Sequence, residues 1–294
     1  MMIQSIHNQI LSSRQIISSA KLLKLNSKWM RLFSSSQPSS NQSPFDTVGV
    51  IGLGLMGHGI CQVAASSNKH SAVIAFEEEQ QYLDSGRTRI ENSIAKLTAK
   101  GKLEADEADR ILNNITFTTD INNLKSADFC IEAVIENLDL KRDLYQEMGK
   151  ICKPDCTFAS NTSSLSITEL ANMSNRQEHF VGVHFFNPVQ LMPLVEVINT
   201  SQTLPHVFEN AYQWVQDIGK VPVKCGDTPG FIVNRLLVPN IVQSILLVER
   251  GDASIQDVDL SMKLGAGNPM GPLHLADYIG LDTLYYILVG WVEK

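Results

Sequence analysis

The stretch Val48-Gly49-Val50-Ile51-Gly52-Leu53-Gly54-Leu55-Met56-Gly57-His58-Gly59 constrains this chain more than any other. It opens as an apolar run rich in β-branched residues, which suits a buried strand, and closes in a cluster of glycines. A strand, a sharp turn and a helix start, in that order, suit a pyrophosphate. Gly52 permits the tight turn, Gly54 lets the backbone approach phosphates with no Cβ in the way, and Gly57 lets the helix pack close to the strand. The first backbone N–H groups of that helix lack intrahelical partners and carry the positive end of its dipole, so an anion binds there. Ile60, Val63 and Ala64 supply the apolar face that separates such a unit from a surface turn. Gly52, Leu53, Gly54, Leu55, Met56 and Gly57 are therefore candidate cofactor-binding residues.

Downstream, short apolar runs alternate with helical patterns. Strands are expected over 47–51, 71–76, 115–118, 128–134, 156–160, 180–184, 194–198 and 221–225. Helices are expected over 58–66, 80–99, 106–112, 138–148 and 205–218. This alternation predicts an α/β fold with a doubly wound, mostly parallel sheet of the Rossmann type. In such sheets ligands sit beyond the carboxyl ends of the strands, where Glu136, Asn161 and Ser163 fall. After Cys225 no strand pattern remains. Thr228 and Pro229 have the chemistry of an N-cap and first helical residue, and Pro239 is placed to kink the helix they would start. The expected division is a leader and linker over 1–45, a dinucleotide-binding domain over 46–226 and an all-helical domain over 227–294.

Charge separates the leader from the body. Residues 1–45 carry Arg14, Lys21, Lys24, Lys28 and Arg31 and no acid, whereas the chain as a whole has 31 acidic against 24 basic residues. Leu22, Leu25, Trp29 and Phe33 share one helical face and the basic residues the other. An acid-free, Ser-rich, amphipathic leader reads as a transit peptide and points to the mitochondrial matrix; Arg31-Leu32-Phe33-Ser34 resembles a processing site. An acidic body argues against nucleic acid as a partner. No run of about 18 apolar residues occurs, so no membrane insertion is expected. The five cysteines are scattered and lack zinc-finger spacing; no metal site and no disulfide framework is expected, and most thiols read as core packing in a reducing compartment.

Two features add chemistry. Glu77, at the end of the second strand, is placed to accept hydrogen bonds from a ribose. Glu77, Glu78 and Glu79 together repel a ribose phosphate, which favours NAD over NADP. His184 ends a strand in the same half of the chain, and Glu196 lies inside an apolar strand twelve residues on. A neutral histidine suits proton abstraction from an alcohol as a hydride leaves, and a buried carboxylate needs a partner. Paired, the acid fixes the tautomer and stabilises the imidazolium. Ser163 and Asn234 are polar groups available to hold the reacting oxygen.

The blocks Gly52–Gly57, Glu132–Asn137, Ser160–Ser164, His184–Pro188, Leu194–Ile198 and Asp227–Arg235 resemble, in order and spacing, the L-3-hydroxyacyl-CoA dehydrogenase family in its mitochondrial short-chain branch. The resemblance covers about residues 46–294. It implies NAD-dependent oxidation of (S)-3-hydroxyacyl-CoA to 3-oxoacyl-CoA in fatty-acid β-oxidation, with His184 as general base and Glu196 as its partner. It places Ser163 and Asn234 beside the substrate, and Ser163, Glu136, Lys141 and Asn187 beside NAD. It matches Lys100 to a basic position near CoA and implies a homodimer formed largely by the helical domain. The family's pattern is expected to continue some tens of residues past Lys294, with further helix and a lysine near the cofactor, so the helical domain reads as incomplete. The competing reading is a non-catalytic or partly active relative that keeps the fold as a binding or structural protein.

Overall fold

The computed structural model describes residues 43–292; the leader and the expected processing site lie outside the described residues. Eight strands form one sheet: β1 (Thr47–Ile51), β2 (Ala72–Phe76), β3 (Ile115–Thr118), β4 (Phe129–Glu132), β5 (Thr157–Ser160), β6 (Phe180–Phe185), β7 (Leu194–Asn199) and β8 (Val221–Gly226). Their order is β3-β2-β1-β4-β5-β6-β7-β8. All neighbours are parallel except β6 and β7. The exception arises from chain length. Only the short turn after Phe185 separates β6 from β7, too little for a crossover that needs about ten or more residues. The chain reverses, and the register sets His184 directly opposite Glu196.

The inner strands are buried on both faces, which is why they read as near-continuous apolar runs, whereas the edge strands β3 and β8 are partly exposed. Alternate residues of β1 point to opposite sides: Val48 and Val50 enter one core, Ile51 the other. The first core is covered by α1 (Gly57–Ser66), α2 (Gln80–Ala99), α3 (Ala105–Asn113) and, after β7, α6 (Pro205–Asp217). The second is covered by α4 (Leu138–Ile151) and α5 (Ile167–Ser174), with Tyr145, Met148, Phe158 and Phe180 at its centre. The ordered fold reaches back into the expected linker: Phe45 is buried, its ring stacked 4.5 Å from that of Phe129.

Helix α5 has no counterpart in the expected pattern. Its signal is Ser166-Ile167-Thr168-Glu169, a capping-box sequence, and the Ser166 side chain accepts from the Glu169 N–H at 3.2 Å. A distant residue reinforces that cap. Asp227 accepts hydrogen bonds from Ile167 N, Thr168 N and Ser166 Oγ at 2.8–3.0 Å.

Beyond the sheet lie four helices: α7 (Val233–Glu249), α8 (Ile255–Leu264), α9 (Pro272–Ile279) and α10 (Leu281–Val292). Of these, α7, α9 and α10 enclose a small core of Val238, Ile241, Ala276 and Leu284. The sequence starts α7 near Thr228 and Pro229, but the helix begins at Val233. Gly230 and Phe231 both adopt positive φ, 81° and 49°, so the intervening backbone cannot be helical. Pro239 sits inside α7, as the sequence suggests.

Candidate active site

The site is assembled where the carboxyl ends of the parallel strands converge. At the end of β1 the chain turns through Gly52, at φ 87°. A Cβ on Gly57 would lie 1.7 Å from the Gly52 carbonyl oxygen, so only glycine lets α1 start this close to the strand. At Gly54, by contrast, a Cβ would meet nothing within 4 Å. No side chain caps α1 at Met56. An open glycine face beside an uncapped helix N-terminus fits the pyrophosphate of a dinucleotide.

Glu77, at the end of β2, folds back onto this turn. Its Oε2 accepts the Leu53 backbone N–H at 2.9 Å. Glu78 and Glu79 are exposed. Glu77 is thus the acid that joins the second strand to the glycine turn, and it remains half-buried at the place a ribose would occupy. Leu53 itself is buried and its N–H is taken, whereas Leu55 is exposed beside the turn.

Beyond β4, Glu132 is fully buried. Its Oε1 accepts from Lys141 Nζ at 2.8 Å and Val134 N at 2.8 Å; its Oε2 accepts from Ser160 Oγ at 2.8 Å and Tyr145 Oη at 3.1 Å. Lys141, only 1% exposed, also reaches Glu136 Oε2 at 2.9 Å. Burial opposes the charge on Lys141, but the two carboxylates outweigh it and hold the ammonium above its usual range. Lys141 therefore reaches the open side of the site through Glu136. Glu136 in turn accepts from Thr162 Oγ1, from Ser163 N at 3.0 Å, and from Ser164 N and Oγ at 3.3 and 3.1 Å. This one carboxylate shapes the loop that carries Ser163.

His184 lies at the centre. Its Nδ1 is 2.7 Å from Glu196 Oε2, and its Nε2 is 3.2 Å from Ser163 Oγ. An ionised carboxylate only accepts, so Nδ1 carries the hydrogen and the Nε2 lone pair faces Ser163. Glu196 Oε1 accepts the N–H groups of Ile232 and Val233 at 3.0 and 2.8 Å, at the start of α7. Burial disfavours the Glu196 charge, but the bonds from His184 and these two N–H groups outweigh it and keep its carboxyl below the usual range. The rings of Phe186 and Phe231 flank His184 at 4.7 and 5.4 Å. Asn161 Oδ1 accepts Phe185 N at 2.9 Å and ties the end of β5 to β6.

Asn234 comes after Val233 in the first turn of α7, half-buried, and among the described residues its side chain makes no hydrogen bond. Asn187 is exposed in the turn after β6. Lys100 stands apart: it is exposed at the C-terminal end of α2, a helix of 20 residues and so about 30 Å long. The hydrogen-bonded cluster thus comprises His184, Glu196, Ser163, Glu136 and Lys141. Glu132, Ser160 and Tyr145 belong to it too, and of these the sequence singled out none; an acid ending an otherwise apolar strand at Glu132 is the signal that marks it.

The chain matches two family models: "3-hydroxyacyl-CoA dehydrogenase, NAD binding domain" over residues 47–228 and "3-hydroxyacyl-CoA dehydrogenase, C-terminal domain" over 230–294. It is 48% identical over 252 residues to the mitochondrial hydroxyacyl-coenzyme A dehydrogenase of Rattus norvegicus, covering 84% of this chain and 80% of that protein. The crystal structure of (S)-3-hydroxybutyryl-CoA dehydrogenase from Ralstonia eutropha superposes with a TM-score of 0.81 at 37% identity, covering 84% of this chain and 86% of the other. FadB2 of M. tuberculosis gives 0.80 at 39%, covering 85% and 87%. This chain belongs to the 3-hydroxyacyl-CoA dehydrogenase family and is an NAD-dependent dehydrogenase.

Proposed function

We propose that this protein oxidises the 3-hydroxyl of an (S)-3-hydroxyacyl-CoA to a ketone within fatty-acid β-oxidation. The observation that carries this reading is His184 held between Glu196 and Ser163, with its Nε2 lone pair directed at the Ser163 hydroxyl. The dinucleotide, when bound, supplies the hydride acceptor. His184 Nε2 takes the hydroxyl proton, and Glu196 stabilises the resulting imidazolium while its other oxygen remains fixed by the α7 N-terminus. Ser163 Oγ and the unpaired amide of Asn234 orient the substrate oxygens. Glu136, backed by Lys141, keeps Ser163 in place and borders the dinucleotide together with Asn187.

The glycine turn from Gly52 to Gly57 would hold the pyrophosphate, and Glu77 the adenosine ribose. Lys100, exposed at the C-terminal end of α2, would contact an anionic part of the CoA thioester. In this scheme residues 46–226 bind the cofactor and 227–294 serve substrate binding and self-association. The helical region exposes Leu236 (71%) and Leu264 (77%), which supports a homodimer. The basic leader and the similarity to a mitochondrial enzyme support a matrix location.

The test compares wild type with His184→Gln, using NADH oxidation by acetoacetyl-CoA. The variant is expected to bind NADH normally and to lose at least roughly a hundredfold in kcat. Equal turnover by both proteins rejects His184 as the base, and wild-type protein that binds NADH yet is inert with the thioester rejects the activity.

A further inference from the structure

Three of the five cysteines meet in the second core: Cys152 and Cys156, four residues apart, and the distant Cys130. Cys130 lies in β4, Cys152 immediately follows α4, and Cys156 immediately precedes β5. All three are buried, and their sulfur atoms all lie within 4.8 Å of one another. Cys130 Sγ is 4.0 Å from Cys152 Sγ and 3.8 Å from Cys156 Sγ.

The separations of Cys130 Sγ from the other two sulfurs match those of a metal–thiolate triangle. An ion about 2.3 Å from each sulfur sets neighbouring sulfurs about 4.0 Å apart in a trigonal plane and about 3.8 Å apart in a tetrahedron. Among the described residues no His, Asp, Glu or fourth Cys joins the group. A closed zinc site wants four ligands, whereas soft monovalent copper is satisfied by thiolates alone in lower coordination. The surroundings also suit the charge. The Arg176 guanidinium lies over the Phe158 ring at 4.7 Å and donates to the Cys152 carbonyl at 2.8 Å, which brings a fixed cation to the thiolate group. The short turn Lys153-Pro154-Asp155 between Cys152 and Cys156 has Pro154 and Asp155 exposed, so the cluster has solvent within one turn of it.

We propose that Cys130, Cys152 and Cys156 form a three-thiolate site for a soft monovalent metal ion, copper(I). On binding, each coordinating thiol releases its proton to solvent and no electron changes hands. The site is separate from the His184 cluster, so its occupation does not depend on the catalytic reading. The metal would cross-link β4, the end of α4 and the start of β5 through side chains that otherwise bond one another and the Leu124 and Thr157 carbonyls.

The test loads the purified full chain anaerobically with copper(I) in the presence of bicinchoninate as competitor. One equivalent per chain is expected to be retained, with a near-ultraviolet thiolate-to-copper band, and copper X-ray absorption is expected to show three sulfur neighbours. Cys152→Ser and Cys156→Ser should each weaken retention by more than the roughly 10–100-fold that even an outer partner of a metal site is worth. Cys225→Ser, outside the cluster, should change nothing. Circular dichroism and NADH titration check that each variant is folded. No retention by wild type, retention by either cluster variant equal to that of wild type, sensitivity to Cys225→Ser, or nitrogen and oxygen neighbours in the absorption spectrum each overturns the proposal. So does loss of two cluster thiols to a disulfide with no copper retained.

Discussion

His184 Nδ1 lies 2.7 Å from Glu196 Oε2, and the other oxygen of that carboxylate holds the first N–H groups of α7. One acid therefore sets the imidazole tautomer and the attachment of the helical region to the sheet. Glu196→Gln removes the negative charge and offers an amide that can donate to Nδ1 and reverse the tautomer. We expect kcat to fall by about 10²–10⁴-fold while NADH affinity stays unchanged. Steady-state kinetics with acetoacetyl-CoA, beside an NADH fluorescence titration, measure both. Unaltered kcat removes Glu196 from the mechanism.

Glu77 contacts the glycine turn through the Leu53 N–H, so its removal affects both the turn and the ribose site. Glu77→Ala should raise the NADH Kd roughly tenfold or more, the worth of a charge-assisted hydrogen bond of about 1.5–3 kcal/mol. Isothermal titration decides it; an unchanged Kd excludes this acid from cofactor binding.

Among the described residues Lys141 is the sole ammonium bonded to Glu132, a fully buried carboxylate. Lys141→Met strands that charge, and we expect a loss of about 3–5 kcal/mol in urea denaturation. The double change Lys141→Met with Glu132→Gln should recover part of the loss, because the uncompensated charge is gone. If the single variant is as stable as wild type, the buried Lys141–Glu132 pair is not structural.

Acid should unpick the same contacts. Burial disfavours the charges on Glu136, Glu196 and Asp227. Lys141 for Glu136, His184 for Glu196, and Thr168 with its neighbours for Asp227 more than compensate, so all three carboxyls sit below their ordinary range. An unfolded carboxyl, near pH 4, binds protons before these do. Their stabilisation is therefore complete above about pH 4 and is lost as pH falls through the lower folded values. The melting temperature should drop steeply over that acid range. Asp227→Asn should flatten part of the drop and cost about 1–2 kcal/mol at neutral pH through the weakened cap of α5. Identical melting curves for this variant and wild type across the acid range reject the contribution of Asp227.

The parts legible in the sequence are those governed by neighbours along the chain. The glycine turn, the alternation of strand and helix, the acid at the end of β2 and the strand-end histidine all come from period, steric freedom and short spacing. Even the undetected α5 had a local sign in Ser166 and Glu169. The tertiary structure decided the rest, because it depends on which distant segments the sheet makes adjacent. The order of β4, β5 and β6 brings Ser163 to His184, and the antiparallel register of β7 sets Glu196 opposite that histidine. Asp227 caps a helix some sixty residues earlier, and the positive φ of Gly230 and Phe231 starts α7 at Val233 rather than at Thr228. Lys141, placed beside NAD by the resemblance, is drawn inward by Glu132. Cys130 likewise joins Cys152 and Cys156 only because β4 and β5 pair. Spacing along the chain cannot report such meetings: burial makes them binding, and only the completed sheet determines what is buried together.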